Sequence, residues 1–453
     1  MNPSQDGAPL GSEAVRPDFV PVSDYISRDF LKLENERMWP RVWLMACRME
    51  ELEQPGSFVT FDIVRDSILL VRQPSGGIKA FHNVCQHRGR RLKDGCGQMG
   101  KTIYCRFHGW SWNLDGSIQR IIHREQWEGC PQFADEDVRL PEVRVDTWGG
   151  WVFVTLDPEA PPLMQYLGDV PEHLDCYALE KTRMLWHVEM TTPANWKLVL
   201  NAFNEAYHVE ATHPQTLRHN SSQLPSRAVG IHSMFGPSQF DPVELPNRPA
   251  AVEGMKRDLR QIILETFEEM HRDLKAMYLE PGVAAARRVM AEVPAGTEPQ
   301  IIGARLMQFH REELEKRGVA WPEGLTPQAI HKAGFGWHIF PNFIILPCID
   351  GSLCYRTRPH PDDPDQCVWD IWGFGRFAPG TEPRPEHTVV TDYTEFFDKN
   401  RFLKDDLVNL PEVTRGMYSR GFRGLRTNPA QEMCVSNLHK VVHEFTDGDR
   451  WNR

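Results

Sequence analysis

Two short segments constrain this chain more than anything else in it: Cys85-Gln86-His87-Arg88-Gly89 and, with seventeen residues between His87 and Cys105, Cys105-Arg106-Phe107-His108-Gly109-Trp110. Each offers one thiol and one imidazole, each ends a strand-like run, and each carries a glycine just after its histidine. With 10 cysteines and 18 histidines in 453 residues, chance supplies about 0.4 copies of any given Cys-to-His spacing. One match is therefore weak, and two in tandem are strong. A [2Fe–2S] cluster needs four ligands, and replacing two thiolates on one iron by neutral imidazoles raises its reduction potential. Two β-loops acting as fingers, each giving a thiolate to one iron and an imidazole to the other, supply that set. The glycines permit tight turns close to the cluster. Zinc is the competing metal, but structural zinc sites usually pair cysteine with cysteine and histidine with histidine.

Length sets the frame for these loops. A chain of 453 residues exceeds one simple core, so two or more domains are expected. The net charge of −11 argues against a nucleic-acid partner, which would favour a basic stripe. An acidic surface suits small-molecule chemistry or a partner with a basic patch. No apolar run reaches the length of a membrane helix, and the N-terminal segment is polar rather than a leader, so a cytoplasmic protein is expected. Reduced cysteines follow from that setting, which favours metal over disulfides and makes Asn220-Ser221-Ser222 an idle glycosylation match.

Along the chain, Ser57–Val64, Ser67–Arg72, Ile78–Val84 and Trp151–Leu156 read as short strands punctuated by turn residues. A proline-rich passage from Pro158 to Pro171 marks a junction. Beyond it, strand-like runs near Met184–Met190, Ile231–Met234, Gly336–Leu346 and Val368–Phe374 alternate with helical stretches at Ala194–Thr212, Met255–Tyr278, Ala284–Val293, Arg305–Arg317, Val389–Leu410 and Gln431–Phe445. Gly373-Phe374-Gly375 is the nearest approach to a dinucleotide fingerprint. No helix pattern follows it, so it reads as a strand end.

A second site lies on the helix that Thr191-Thr192-Pro193-Ala194-Asn195-Trp196-Lys197 begins, with a threonine cap and proline in the first turn. Trp196, Val199, Leu200, Phe203 and Tyr207 form one apolar stripe, with Asn201, Glu205 and His208 on another face. His213 follows His208 by five residues, about 140° away on an ideal helix, so the two share a metal only where the helix ends or widens. Pro214 favours such an end. A helix end with two histidines suits a 2-His-1-carboxylate iron centre.

The loops C-x-H-R-G and C-x-x-H-G-W resemble the signature of Rieske-type ring-hydroxylating oxygenases. The positions where respiratory Rieske proteins hold two further cysteines carry Arg90 and Phe107. Asn-Trp-Lys followed by Asn-Glu-Ala-Tyr-His-Val-Glu-Ala-Thr-His-Pro resembles the catalytic-iron motif of the same family. The resemblance implies an α+β chain with a β-rich Rieske [2Fe–2S] domain and a helix-grip (START/Bet v 1-like) catalytic domain with an antiparallel sheet. The expected divisions are 1–42, a helical segment packing on the catalytic domain; 43–160, the Rieske domain; and 161–453, the catalytic domain with a helical insertion about 250–320. Cys85, His87, Cys105 and His108 would hold the cluster, and His208 and His213 a mononuclear Fe(II).

The family's third iron ligand is an aspartate on a late helix. Leu403, Leu407 and Leu410 mark a buried stripe flanked by Asp406, while Asp405 points away; Asp406 is therefore expected, with Asp398 and Glu395 as alternatives. Glu205 takes the place of the carboxylate that bridges the two centres across a subunit interface. It is aspartate in the naphthalene-dioxygenase type and glutamate in several branches, some acting on quaternary ammonium compounds. Implied partners are an NAD(P)H-dependent reductase, with or without a ferredoxin, in an α3 or α3β3 assembly, and O2 is the co-substrate. The expected reaction is hydroxylation, in the form of cis-dihydroxylation, of an aromatic or other hydrophobic substrate. The alternatives are a monooxygenase or demethylase acting on an N-alkyl, O-alkyl or quaternary ammonium group and, in a different class, a non-catalytic Rieske electron carrier. For the substrate, Phe235, Phe240, Trp337, Phe340, Phe343 and Ile345 are candidate cavity residues, and Arg356 or Arg358 a candidate carboxylate clamp.

Overall fold

The computed structural model describes residues 14–130, 133–213, 224–236, 258–396 and 401–448, and it divides into two compact units. One is continuous, Asn35–Tyr166; the other joins the N-terminal segment up to Glu34 with everything from Leu167 onward. Among the described residues no helix is long and apolar enough to cross a membrane.

The smaller unit is β-rich. Its seven-stranded antiparallel sheet runs, edge to edge, Leu44–Arg48, Trp151–Thr155, Glu142–Trp148, Ile78–His82, Asp66–Arg72, Ser57–Ile63 and Cys96–Gln98. A three-stranded antiparallel sheet, Thr102–Tyr104, Ser111–Asn113 and Ile118–Arg120, stands beside it. β-Branched and aromatic residues alternate along these strands, and their inner faces make one core of Leu69, Val71, Phe81, Ile103, Trp112 and Leu140. Cys85 and Cys105 belong to that same core.

The larger unit is built on an eight-stranded sheet in the order Ser226–Val229, His232–Phe235, Gly336–Ile339, Phe343–Pro347, Gly351–Pro359, Cys367–Gly375, Arg183–Thr192 and Glu386–Val390. Every pair is antiparallel except the last, where Glu386–Val390 runs parallel to Arg183–Thr192. The sheet is antiparallel as expected, with one parallel pair added at this edge for a topological reason. After Cys367–Gly375 the chain passes over one strand and returns on its far side, so it opposes its predecessor and matches the intervening strand. The terminal helix Met433–Thr446 packs on the other edge of the sheet, its Asn437 amide donating to the His232 carbonyl at 3.0 Å and its Cys434 thiol to the Met234 carbonyl at 3.3 Å. A helix gripped by a curved sheet is the result, and the whole chain is of the α+β class.

The amphipathic stretch after residue 255 folds as three helices, Leu259–Leu274, Glu280–Glu292 and Pro299–Lys316, around Ala285, Val289, Ile302 and Phe309. Asp350, in the turn before Gly351–Pro359, ties them to the sheet. One of its oxygens lies 2.6 Å from His310 Nε2, and the other accepts from the Leu279 N–H at 2.8 Å.

The helix expected over 194–212 is broken. Thr192 ends a strand and the cap is Asn195, whose side chain accepts from the Lys197 N–H at 3.0 Å; the helix is only Trp196–Asn201. A separate turn, Val209–Thr212, follows. Tyr207 consequently leaves the apolar stripe and is exposed. The helix expected over 389–410 is likewise divided between the strand Glu386–Val390 and the helices Arg401–Leu407 and Leu410–Met417.

Candidate iron centres

The two cysteine–histidine loops are the same turn built twice. In each, the cysteine N–H donates to the carbonyl five residues on (Cys85 to Arg90, 2.8 Å; Cys105 to Trp110, 2.9 Å). In each, the glycine N–H returns to the cysteine carbonyl, 2.9 Å for Gly89 and 3.1 Å for Gly109. Both glycines are left-handed, with φ of +73° and +74°, a conformation that disfavours any side chain. Only the histidine differs, standing third in one turn and fourth in the other. The loops thus bring His87 and His108 together with ring centroids 4.5 Å apart, His87 lying flat on the Trp110 indole at 4.7 Å. The thiols are neighbours too: burial pushes the Cys85 thiol up, and hydrogen bonding with Cys105 pushes it further. Burial, then the charges of His108 and Arg88, hold His87 below the usual imidazole range. None of the 10 cysteines is in a disulfide. Two adjacent sulfurs, two adjacent imidazoles and a buried His87 Nδ1 with no hydrogen-bond partner fit the donor set of a [2Fe–2S] centre.

The larger unit carries a second cluster. One ligand atom each from His208, His213 and Asp406 falls within 4.8 Å of the others. Asp406 Oδ1 lies 3.0 Å from His213 Nε2 and 3.5 Å from His208 Nε2. The turn Val209–Thr212 is what brings the histidines together, because they are its two cap residues and His213, at φ −119° and ψ 56°, has left the helical region. Pro214 lies outside the described residues. Asp406 is buried on the helix whose Leu403 and Leu407 face the core, and its Oδ2 has no hydrogen-bond partner. A half-satisfied buried carboxylate facing two imidazole Nε2 atoms is the donor set of a 2-His-1-carboxylate iron site. Of the alternative carboxylates, Glu395 is exposed and Asp398 falls outside the described residues.

Each imidazole also has a carboxylate on its far nitrogen. Glu205 Oε1 stands 2.6 Å from His208 Nδ1, and Asp405 Oδ2 stands 3.6 Å from His213 Nδ1. A hydrogen bond such as the one between His208 and Glu205 fixes the tautomer and orientation of a metal-binding histidine, whereas the Asp405 contact is longer than a hydrogen bond. Burial works against a charged His208, but the Glu205 hydrogen bond and the charges of Glu205, Asp406 and Glu432 outweigh it and hold its pKa above the ordinary value. Glu432, at the start of the terminal helix, is pushed up by burial and by Glu205. Sequence reasoning set Asp405 aside and did not single out Glu432; no local pattern points to either, because their partners are remote in the chain.

The motif Asn195-Trp196-Lys197 anchors this centre. The Asn195 amide donates to the Tyr25 carbonyl at 2.8 Å, the Trp196 indole to Glu34 at 3.3 Å, and Lys197 Nζ to Glu34 at 2.5 Å. Lys197 and Glu34 are both fully buried. One helical turn on, Asn201 donates to the Tyr25 hydroxyl at 2.6 Å.

The proposed arginine clamp is corrected. Arg356 and Arg358 are held inside the sheet by Asp370, at 2.8 and 3.0 Å, and Arg358 also by Glu189 at 2.7 Å, so neither is presented to a substrate. Phe235, Trp337, Phe340, Phe343 and Ile345 are buried core residues, and Phe240 lies outside the described residues.

Residues 42–134 match the Rieske [2Fe-2S] domain and residues 179–448 the ring hydroxylating alpha subunit (catalytic domain). The carnitine monooxygenase oxygenase subunit of Escherichia coli (strain K12) is 29% identical over 197 residues, which are 43% of this chain and 52% of that protein. The large oxygenase component of the naphthalene 1,2-dioxygenase system of Pseudomonas putida is 33% identical over 207 residues, 43% of this chain and 44% of the relative. The chain thus spans about half the length of the curated relatives it matches. A quaternary ammonium Rieske monooxygenase crystallised with L-carnitine shares the fold, with a TM-score of 0.64 at 17% identity over 95% of this chain and 97% of that one. A cluster-binding unit and a mononuclear-iron unit in one chain, each matched by its own family model, make this protein a member of the Rieske non-haem iron oxygenase family, ring-hydroxylating α subunit.

Proposed function

We propose that the chain is the oxygenase component of a Rieske monooxygenase that hydroxylates a carbon attached to nitrogen in a quaternary ammonium or N-alkyl substrate, drawing electrons from an NAD(P)H-dependent reductase. The observation that carries the enzyme reading is the convergence of His208, His213 and Asp406 in a unit separate from the cysteine–histidine loops. A simple electron carrier needs only the loops. When bound, the cluster supplies single electrons and the mononuclear iron supplies a site for O2.

The chain's own residues do the rest. Glu205 holds His208 in one tautomer with Nε2 facing Asp406, and Asp405 places a carboxylate charge 3.6 Å from the far nitrogen of His213. Glu205 also serves as the bridge to His108 of the partner subunit in a trimeric assembly.

The substrate class rests on the relatedness to a carnitine monooxygenase and on glutamate, rather than aspartate, at position 205. The second reading, cis-dihydroxylation of an aromatic ring, is favoured by the relatedness to naphthalene 1,2-dioxygenase.

Purified holoenzyme with a surrogate reductase, offered L-carnitine, glycine betaine, naphthalene and benzoate, separates the two readings. Hydroxylated or dealkylated amine products are expected by mass spectrometry. A cis-dihydrodiol from an aromatic with no turnover of any amine would replace this proposal by the second reading.

A further inference from the structure

The larger unit contains an open groove of about 750 Å³, within the size range of small-ligand sites, at the end of the Arg183–Thr192 strand opposite the one that leads into the helix Trp196–Asn201. Trp186, on its wall, is six residues before Thr192, about 20 Å along the strand. None of the candidate iron ligands lines it. Five cations do: Arg272, Lys275, Arg317, Arg376 and Arg384, against the carboxylates Glu280 and Glu386. In a chain of net charge −11 this is a local reversal of sign.

The pairing within the groove narrows what it can hold. Arg272 is engaged by Asp273 at 2.8 Å, Arg317 by Glu313 at 2.9 Å, and Glu280 by Arg287 at 3.6 Å. Arg376 is buried, and its guanidinium donates only to carbonyls, those of Ile349, Ala178 and Tyr177. Lys275 and Arg384 are exposed and have no ion-pair partner among the described residues, and Glu386 likewise. Lys275 and Arg384 against Glu386 leave one positive charge at the exposed rim, and the buried Arg376 adds a second beneath it, so the groove suits an anion.

The walls are apolar and are shaped by the Gly373-Phe374-Gly375 segment that resembled a dinucleotide fingerprint. A Cβ at Gly373 would sit 2.5 Å from the Trp186 indole, and one at Gly375 would sit 2.7 Å from Leu279 and 3.0 Å from Phe377. These glycines clear space for three side chains that line the groove. The Trp186 indole is further pinned by donating to the Lys275 carbonyl at 3.1 Å, where the chain turns left-handed at φ +48°.

We propose that this groove binds an organic carboxylate with an apolar or aromatic body, Lys275 and Arg384 meeting its charge and Trp186 and Phe377 its body. Titration calorimetry on the holoenzyme with 1-naphthoate tests it, using 1-naphthalenemethanol as the neutral probe of similar shape. Naphthoate is expected to bind at this site at least tenfold more tightly than the alcohol. The double variant K275E/R384E, both positions being exposed, is expected to keep the wild-type melting temperature. It should lose one equivalent of naphthoate or bind it at least tenfold more weakly. Binding at the groove should persist in Asp406→Ala, which separates it from the iron centre. Unchanged naphthoate affinity and stoichiometry in the correctly melting K275E/R384E variant, or equal affinity for acid and alcohol, would overturn the proposal.

Discussion

The two iron centres are assembled in opposite ways. The loop site draws its four side chains from two turns within 24 residues, Cys85 to His108, and each turn closes on its own backbone. The mononuclear site joins His213 to Asp406 across 193 residues, and its anchor joins Lys197 to Glu34 across 163. A locally closed site depends on turn geometry; a site closed over such distances depends on everything that holds the sheet, the short helices and the N-terminal segment in place. The first should therefore survive damage that destroys the second.

The largest expected effect isolates one centre from the other. Asp406→Ala should lower turnover by at least about 10³-fold while the protein keeps its reddish-brown colour and acid-labile sulfide, iron falling from three to two per chain. Cys105→Ser should bleach the protein instead. Metal and sulfide analysis reads both, and bleaching by the aspartate variant would contradict the separation.

Next is the anchor. Lys197→Met leaves Glu34 as an uncompensated buried charge, so the larger unit should lose about 3–5 kcal/mol, seen as a lower calorimetric melting transition with the cluster absorbance intact. An unchanged melting curve would show that the N-terminal segment does not hold this site.

Acid should weaken the larger unit in a stated window. His338 is fully buried, and burial, opposed by the Pro341 carbonyl, lowers its pKa to about 4. An unfolded histidine titrates near 6.5, so below that pH unfolding takes up a proton that the folded chain refuses until about pH 4. Stability should fall by about 1.4 kcal/mol per pH unit across this window, roughly 3 kcal/mol in all, from this group. His338→Gln should flatten the fall in a melting-temperature series.

Asp405→Asn tests whether the second carboxylate supports His213. Iron affinity should drop by about 10–100-fold without loss of the cluster, measured by competitive chelation. Smallest of all, Gly89→Ala should cost about 1–2 kcal/mol, because its left-handed turn has open space around it. Gly109→Ala should cost more, since a Cβ there runs into Ile122.

This contrast also explains how far the amino-acid order could be read. The loop donors were legible as a set because thiol, imidazole and glycine recur at short spacing within one turn, and a turn's geometry is dictated by its neighbours. Asp406 emerged from the leucine stripe of its own helix, a local argument that placed a buried carboxylate correctly on that helix. Helix boundaries were misread at Thr192 and Tyr207 because strand pairing with Cys367–Gly375 carries the chain to Thr192, and Asn195, not threonine, finds the free N–H to cap. Arg356 and Arg358 stayed open as clamp candidates because Asp370, which holds both, lies on the adjacent strand and is invisible to any periodicity.

By itself, then, the sequence determined the two metal chemistries and their separation into two units, since donor type and short spacing are properties of contiguous residues. Tertiary structure alone decided which carboxylates face which imidazole nitrogens, how the N-terminal segment clamps the helix Trp196–Asn201, and where unpaired cations gather in a groove. Those facts are set by contacts between segments far apart in the chain, and only the closed sheet brings such segments within hydrogen-bond reach.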